Sequence, residues 1–337
     1  MVKRCLLVLA LAATYSAVAS GVGAPGMTTS LDAQAAGDKF RAWRTAAAQV
    51  LMARADANSL ATAAALRYAG AAYNAKAASS PPGPSAVELA ARASELAPQD
   101  ASIGWLHLQL CAGTPNCDVR DAAIIMRWVD ADNGAAWLPT LAAAQKDRDP
   151  VEVDRILADM AHGTRFDLYW NRIVVLMVDA LYAARDDLPG SFASSDSARL
   201  MTAMGIAGAE VIPGFSPLVE ACRDSSAEPE RRETCLKLSK TMQRGDTIIA
   251  QMAGFSIEKR LVAPDSKEAR AIAERRHVLE WRMGAAAKFD TPLLPWLKNA
   301  RARARLAQMR AIPREEDACI AVLREHGMAL LPPEDHR

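Results

Sequence analysis

Aromatic residues supply only 5% of this sequence, although 51% of it is hydrophobic. The apolar mass is therefore mostly Ala, Leu, Ile, Val and Met. Such a chain, with few β-branched runs, favours helices that pack closely through small side chains. An excess of either charge is also missing, with 40 basic residues against 39 acidic ones. No overall field draws the chain to nucleic acid or to an acidic membrane. Beyond the N-terminus no apolar run approaches the roughly 20 residues that a membrane span needs. The sequence contains no G-x-x-x-x-G-K-[ST], no G-x-G-x-x-G after a strand, no G-x-S-x-G and no H-E-x-x-H. Its histidines, His107, His162, His277, His326 and His336, stand singly, none with a second histidine at i+3 or i+4. No catalytic residue, metal ligand or cofactor site is assigned.

What is present begins with a targeting signature. Lys3 and Arg4 precede an apolar stretch from Cys5 to Val18, and Ala17-Val18-Ala19 offers small residues for cleavage. Residues 1–19 are expected to be a signal peptide, which implies a periplasmic or secreted protein without an integral membrane segment after cleavage. Removal of Cys5 leaves five cysteines for an oxidising compartment. Cys111 and Cys117 flank a short turn, and Cys222 and Cys235 flank a longer polar loop. Each pair sits where the chain reverses between predicted helices, so disulfides within each loop are expected, with Cys319 outside both. Zinc or redox chemistry is the competing reading, but neither spacing is C-x-x-C.

Helical periodicity runs through most of the chain. Phe40, Trp43, Ala47, Val50 and Leu51 form one stripe of a first helix. The prolines at 81, 82 and 84 interrupt the pattern. Ser85 and Glu88 then have the spacing of a capping box, and Pro98 stops the helix that they start. From Pro229 onward, Cys235, Leu238, Met242, Gly245, Ile249 and Met252 alternate steps of three and four, the pattern of a longer helix with one seam against a partner, in which Gly245 would allow close approach or a bend. Trp105, Trp137 and Trp170 recur at intervals of 32 and 33 residues.

That period, with Ala86, Ala93 and Pro98 at small, small and proline positions and Trp105 and Leu108 at aromatic and leucine positions, resembles the tetratricopeptide repeat. Gln109 and Ala112 stand where that family has glycine and tyrosine, and Trp128 falls near a position that it keeps small. The resemblance spans about Leu60 to Tyr182. It implies an all-α fold, a right-handed α-α superhelix or solenoid of this kind with a C-terminal helical segment. The expected organisation is signal peptide at 1–19, flexible N-terminus and first helix at 20–57, helical repeats at 58–185 and a C-terminal helical region at 186–337.

Two functions follow from different classes. The first, implied by the resemblance, is a scaffold of the cell envelope that binds a protein or peptide on the concave face of its repeats. Exposed positions on the first helix of each unit would carry that contact: His107, Thr140, Asn171 and Arg172. The second is a cell-wall glycan-cleaving enzyme on an α-helical scaffold. It would need one glutamate in an apolar pocket, and Glu280, beside Trp281, is the candidate. The balance favours the first, with a polypeptide partner and no nucleic acid.

Overall fold

Several helices begin where the sequence supplies an acceptor for their first amides. Ser85 Oγ accepts from Glu88 N at 3.2 Å and Glu88 Oε2 accepts from Ser85 N at 2.6 Å, which completes the capping box. These hydrogen bonds hold the Glu88 carboxyl below its ordinary range. Asp100, Asp118 and Asp149 cap later helices in the same manner.

The computed structural model describes residues 30–73, 83–190, 192–210, 212–223, 228–290 and 299–333. The expected signal peptide, at 1–19, lies outside the described residues. Among them are fifteen α-helices. In chain order these are α1 (Ser30–Arg54), α2 (Ala57–Tyr73), α3 (Ala86–Leu96), α4 (Ala101–Ala112) and α5 (Val119–Val129). A 3-10 turn, Gly134–Trp137, leads into α6 (Leu138–Lys146), α7 (Pro150–His162), α8 (Trp170–Ala183), α9 (Asp196–Glu210) and α10 (Ser216–Arg223). The last are α11 (Pro229–Met242), α12 (Ile248–Leu261), α13 (Lys267–Asp290), α14 (Asn299–Ala311) and α15 (Glu315–Glu325). One isolated bridge, Asn133 to Arg165, is the sole β pairing among the described residues. No helix among them is long and apolar enough to cross a membrane.

The described residues fall into two compact units, each drawn from three stretches of chain. The first lies within Met1–Thr114, Ile173–Ile212 and Lys298–Leu306. There α1 packs on α2, α2 on α3 and α3 on α4, while α9 returns onto α2. Its core mixes Trp43, Leu51, Leu60, Leu66 and Trp105 with alanines at 47, 61, 64 and 65 that let helices approach. The second unit lies within Pro115–Arg172, Pro213–Leu297 and Ala307–Arg337. In it α6 packs on α7 and α10, α7 on α11, α11 on α12, α12 on α13, and α13 on α15. The boundary expected at 185/186 falls inside the stretch Ile173–Ile212.

The tryptophan rhythm does not mark equivalent places. Trp105 is wholly buried mid-way along α4, Trp137 ends the 3-10 turn, and Trp170 is the first residue of α8. The reason lies in the loops. Asn133 donates to the Asp167 carbonyl at 2.9 Å and accepts from Asp167 N at 3.0 Å, so the chain is tied down before Trp137. Tyr169, just ahead of Trp170, has φ 58° and cannot belong to the helix. The seam from Cys235 to Met252 is likewise two helices, because the chain reverses at Gly245 and α12 packs back on α11. A Cβ on Gly245 would stand 2.6 Å from the Phe166 carbonyl oxygen, so only glycine fits this turn. Thr247 Oγ1 then caps α12.

Behind that turn the second unit buries a polar junction. Asp246 Oδ1 and Oδ2 accept from Leu168 N and Tyr169 N, each at 2.8 Å. Glu315 N donates to the Asp246 carbonyl oxygen at 2.8 Å, and Glu315 Oε2 accepts from Ile248 N at 2.7 Å. Asp130 accepts from both Arg165 and the Tyr169 hydroxyl. Burial, reinforced by Asp167 and Glu315, pushes the Asp246 carboxyl well above the ordinary carboxylate range, against the lowering effect of the Leu168 amide.

The expected disulfides form. Cys222 and Cys235 are bonded with Cα atoms 5.7 Å apart, and Cys111 and Cys117 are likewise in disulfide linkage. Cys319 remains a thiol, packed with Ala285, Ala286 and Leu323.

Two outcomes are expected. Replacing Cys222 and Cys235 by serine removes a bridge that closes a 13-residue separation, and it should lower unfolding stability in urea by about 3 kcal/mol. A loss near zero would mean that the bridge constrains little. Asp246 holds its proton more tightly when folded than when unfolded, so its contribution is greatest below the ordinary aspartate range and is lost as pH rises through its raised pKa. As pH rises above the ordinary aspartate range, wild type should therefore lose stability in urea relative to Asp246→Asn. A pH-independent difference between the two would show that Asp246 is not the titrating group.

Candidate functional site

Of the four residues expected on an exposed face, three are buried. His107 is 8% exposed inside α4, where burial lowers its pKa although Glu95 opposes the effect. Thr140 Oγ1 donates to the Trp137 carbonyl at 2.9 Å and is buried in the first turn of α6. Asn171 Nδ2 donates to the carbonyls of Ile312 and Pro313 at 3.1 and 3.2 Å, which fixes a loop. Arg172 is exposed, its guanidinium 5.9 Å from the Tyr169 ring centroid. His107 belongs to the first unit and the other three to the second, so neither unit gathers the four. The physical reason is that these helices bury more than one side. From Ser102 to Cys111, α4 is buried at every position, and no exposed stripe remains to bind anything.

Glu280 is not in an apolar pocket. Its Oε1 accepts from Arg276 Nε at 2.8 Å one helical turn away, and its side chain is 40% exposed. Trp281 Nε1 donates to the Ala329 carbonyl at 3.2 Å. The pair is a surface ion pair beside a tryptophan that anchors the C-terminal segment.

The second unit instead forms a cleft of about 800 Å³ among α11, α12, α13 and the start of α15. Phe255, Ile272 and Leu279 make its apolar floor, backed by Ile248, Met252 and Val262. On α13 the lining residues Glu268, Ile272, Arg275, Leu279 and Arg282 step by three and four, so one face of that helix runs along the cleft. From Glu268 to Arg282 this stripe is about 21 Å long at 1.5 Å per residue.

The charges around this floor divide into those already satisfied and those left open. Glu258 is 6% exposed, and its Oε2 accepts from Gln243 Nε2 at 2.7 Å and Arg275 Nη2 at 2.8 Å. Arg282 Nη1 donates to Glu316 Oε1 at 2.6 Å. Lys240 and Arg244, at the end of α11 and just beyond it, have no ion pair among the described residues, and neither do Glu268 and Glu274 on α13. The end of α11 thus brings open positive charge to the cleft and α13 brings open negative charge. No group of acids, histidines or cysteines among the described residues is arranged to hold a metal.

Sequence reasoning missed this site because its lining comes from four helices. Two signals were visible. Phe255 is one of six phenylalanines, and the charged first half of α13 carries apolar residues at helical spacing. Neither identifies a cleft until α12 folds back at Gly245. Compared with known proteins, the chain matches no family model, no curated protein and no solved structure.

Proposed function

We propose that the protein is an exported helical scaffold that binds a polypeptide segment in the α11–α13 cleft, and that the segment is an amphipathic helix. The cleft carries this reading: an apolar floor about two helical turns long lies within a stripe of about four turns and is bordered by open charge of both signs. It offers a ligand side chains rather than a free sheet edge. An extended peptide would find no ladder partners for its backbone there, whereas a helix satisfies its own and presents one apolar stripe. The N-terminal signature and the two disulfide-bonded pairs support action outside the cytoplasm. The run from α1 to α4, each helix packed on the next, supports a short tetratricopeptide-like stack. In the second unit, the packing of α7 on α11 across sequence argues for a different arrangement, because a solenoid repeat touches its neighbours only.

The test uses a panel of labelled four-turn amphipathic helices that share one leucine face and differ only in flanking charge. Ala271 is exposed and lines the cleft, so Ala271→Trp fills the space with little cost to the fold. At least one panel member should bind saturably by fluorescence anisotropy, and Ala271→Trp should weaken it by about tenfold or more, ~1.4 kcal/mol, with thermal stability retained. Absence of saturable binding across the panel, or binding that is indifferent to Ala271→Trp, overturns the assignment.

A further inference from the structure

The second unit also carries the kind of helix that its cleft suits. Helix α5 buries Ala122, Ala123 and Met126 and turns Ile124, Ile125 and Trp128 outward at 56%, 46% and 73% exposure. Positions 124 and 128 are four apart and 125 and 128 three apart, so these side chains form one patch. An exposed tryptophan flanked by two isoleucines is costly in water and is the usual chemistry of an interface anchor. Charges of both signs border it: Arg120 and Asp121 are exposed in the first turn, Asp118 caps the helix, and Arg127 stacks over the Trp137 ring at 3.9 Å. Asp121 has no ion pair among the described residues, and Arg120 has only a 3.4 Å contact with Asp147 in which both side chains are largely exposed.

We infer that α5 of one copy docks in the α11–α13 cleft of a second copy, so that the protein assembles head to tail. The inference rests on the cleft being a helix-binding site. Three features make α5 fit. Its 11 residues span about 16 Å, within the cleft's length. Its apolar face meets the floor of Phe255, Ile272 and Leu279. Its Asp121 matches the open Lys240 and Arg244, and its exposed Arg120 matches the open Glu268 and Glu274. Patch and cleft are different surfaces, so the contact is heterologous. Each copy bound through its patch still offers its own cleft, and growth continues until a ring closes or a filament forms.

The experiment uses the full chain in sedimentation velocity over a wide concentration range. Wild type should associate reversibly and form species larger than two copies. Trp128→Glu, which breaks the patch, and Lys240→Glu with Arg244→Glu, which reverses the open positive charge, should each be monomeric with the circular dichroism of wild type. An equimolar mixture of these variants should form a complex of two chains and nothing larger, because one partner keeps its cleft and the other its patch. A monomeric wild type, continued association of either variant, or a mixture that stays monomeric overturns the inference. If the peptide panel binds in an Ala271-sensitive manner while the mixture stays monomeric, the cleft is a helix site whose occupant is another protein. If neither binds, both readings fall.

Discussion

A carboxylate with almost no access to water fixes the loops of the second unit. Asp246 faces the consecutive amides of Leu168 and Tyr169, and it needs both oxygens to accept both donors. Both N–H groups donate to the one carboxyl group, and Tyr169 takes φ 58°, a conformation that costs an L-residue roughly 1–2 kcal/mol. Successive amides turned to one side make a small anion-binding concavity, and Asp246 fills it from another part of the chain. The opposing force is large, since burial, Asp167 and Glu315 all disfavour the charge. The junction holds because further bonds share the load: Glu315 to Asp246 and Ile248, and Asn133 to Asp167 and Tyr169. Removing an acceptor here leaves buried donors without partners, the costly half of hydrogen-bond energetics.

That junction also sets the geometry of the cleft. Arg244, Gly245 and Asp246 are consecutive, so the residue that anchors the loops follows the rim cation by two positions. Gln251 Nε2 donates to the Gly245 carbonyl at 3.0 Å and fixes the start of α12 against the same turn. Glu315 and Glu316 divide the work at the start of α15. The first holds the Ile248 amide, and the second neutralises Arg282 in the lining. The cleft is therefore an edge of the hydrogen-bonded junction rather than a gap left by loose packing.

Local signals were legible in the sequence and long-range ones were not. The Ser85–Glu88 box, the end of its helix before Pro98 and the pairing of Cys222 with Cys235 all follow from residues close together in the chain, where spacing decides geometry. Gly245 reads as a close approach or a bend, but not as a reversal, because the apolar steps of three and four continue across it. The Phe166 carbonyl, nearly eighty residues away in sequence, is what leaves no room for a Cβ there. The tryptophans misled for a related reason. A period near 33 residues counts chain length but not the loop bonds that decide where each helix begins. His107, Thr140 and Asn171 were expected on a surface because a repeat helix exposes one face. Each is instead enclosed, and Asn171 is spent on two loop carbonyls.

The ionisable groups divide between the buried junction and the cleft. The carboxyls pushed upward, Asp246 and Asp167, are held in structural hydrogen bonds and do not line the cleft. Of the acids that do line it, Glu258 and Glu316 are tied to arginines, while Glu268 and Glu274 stand open to water. Open charges of both signs have much to offer a helix that must enter in one orientation, because a reversed ligand would set like charges together. Orientation of that kind is what a heterologous contact between identical copies requires, since only a directed α5 in a directed cleft carries assembly onward from one copy to the next.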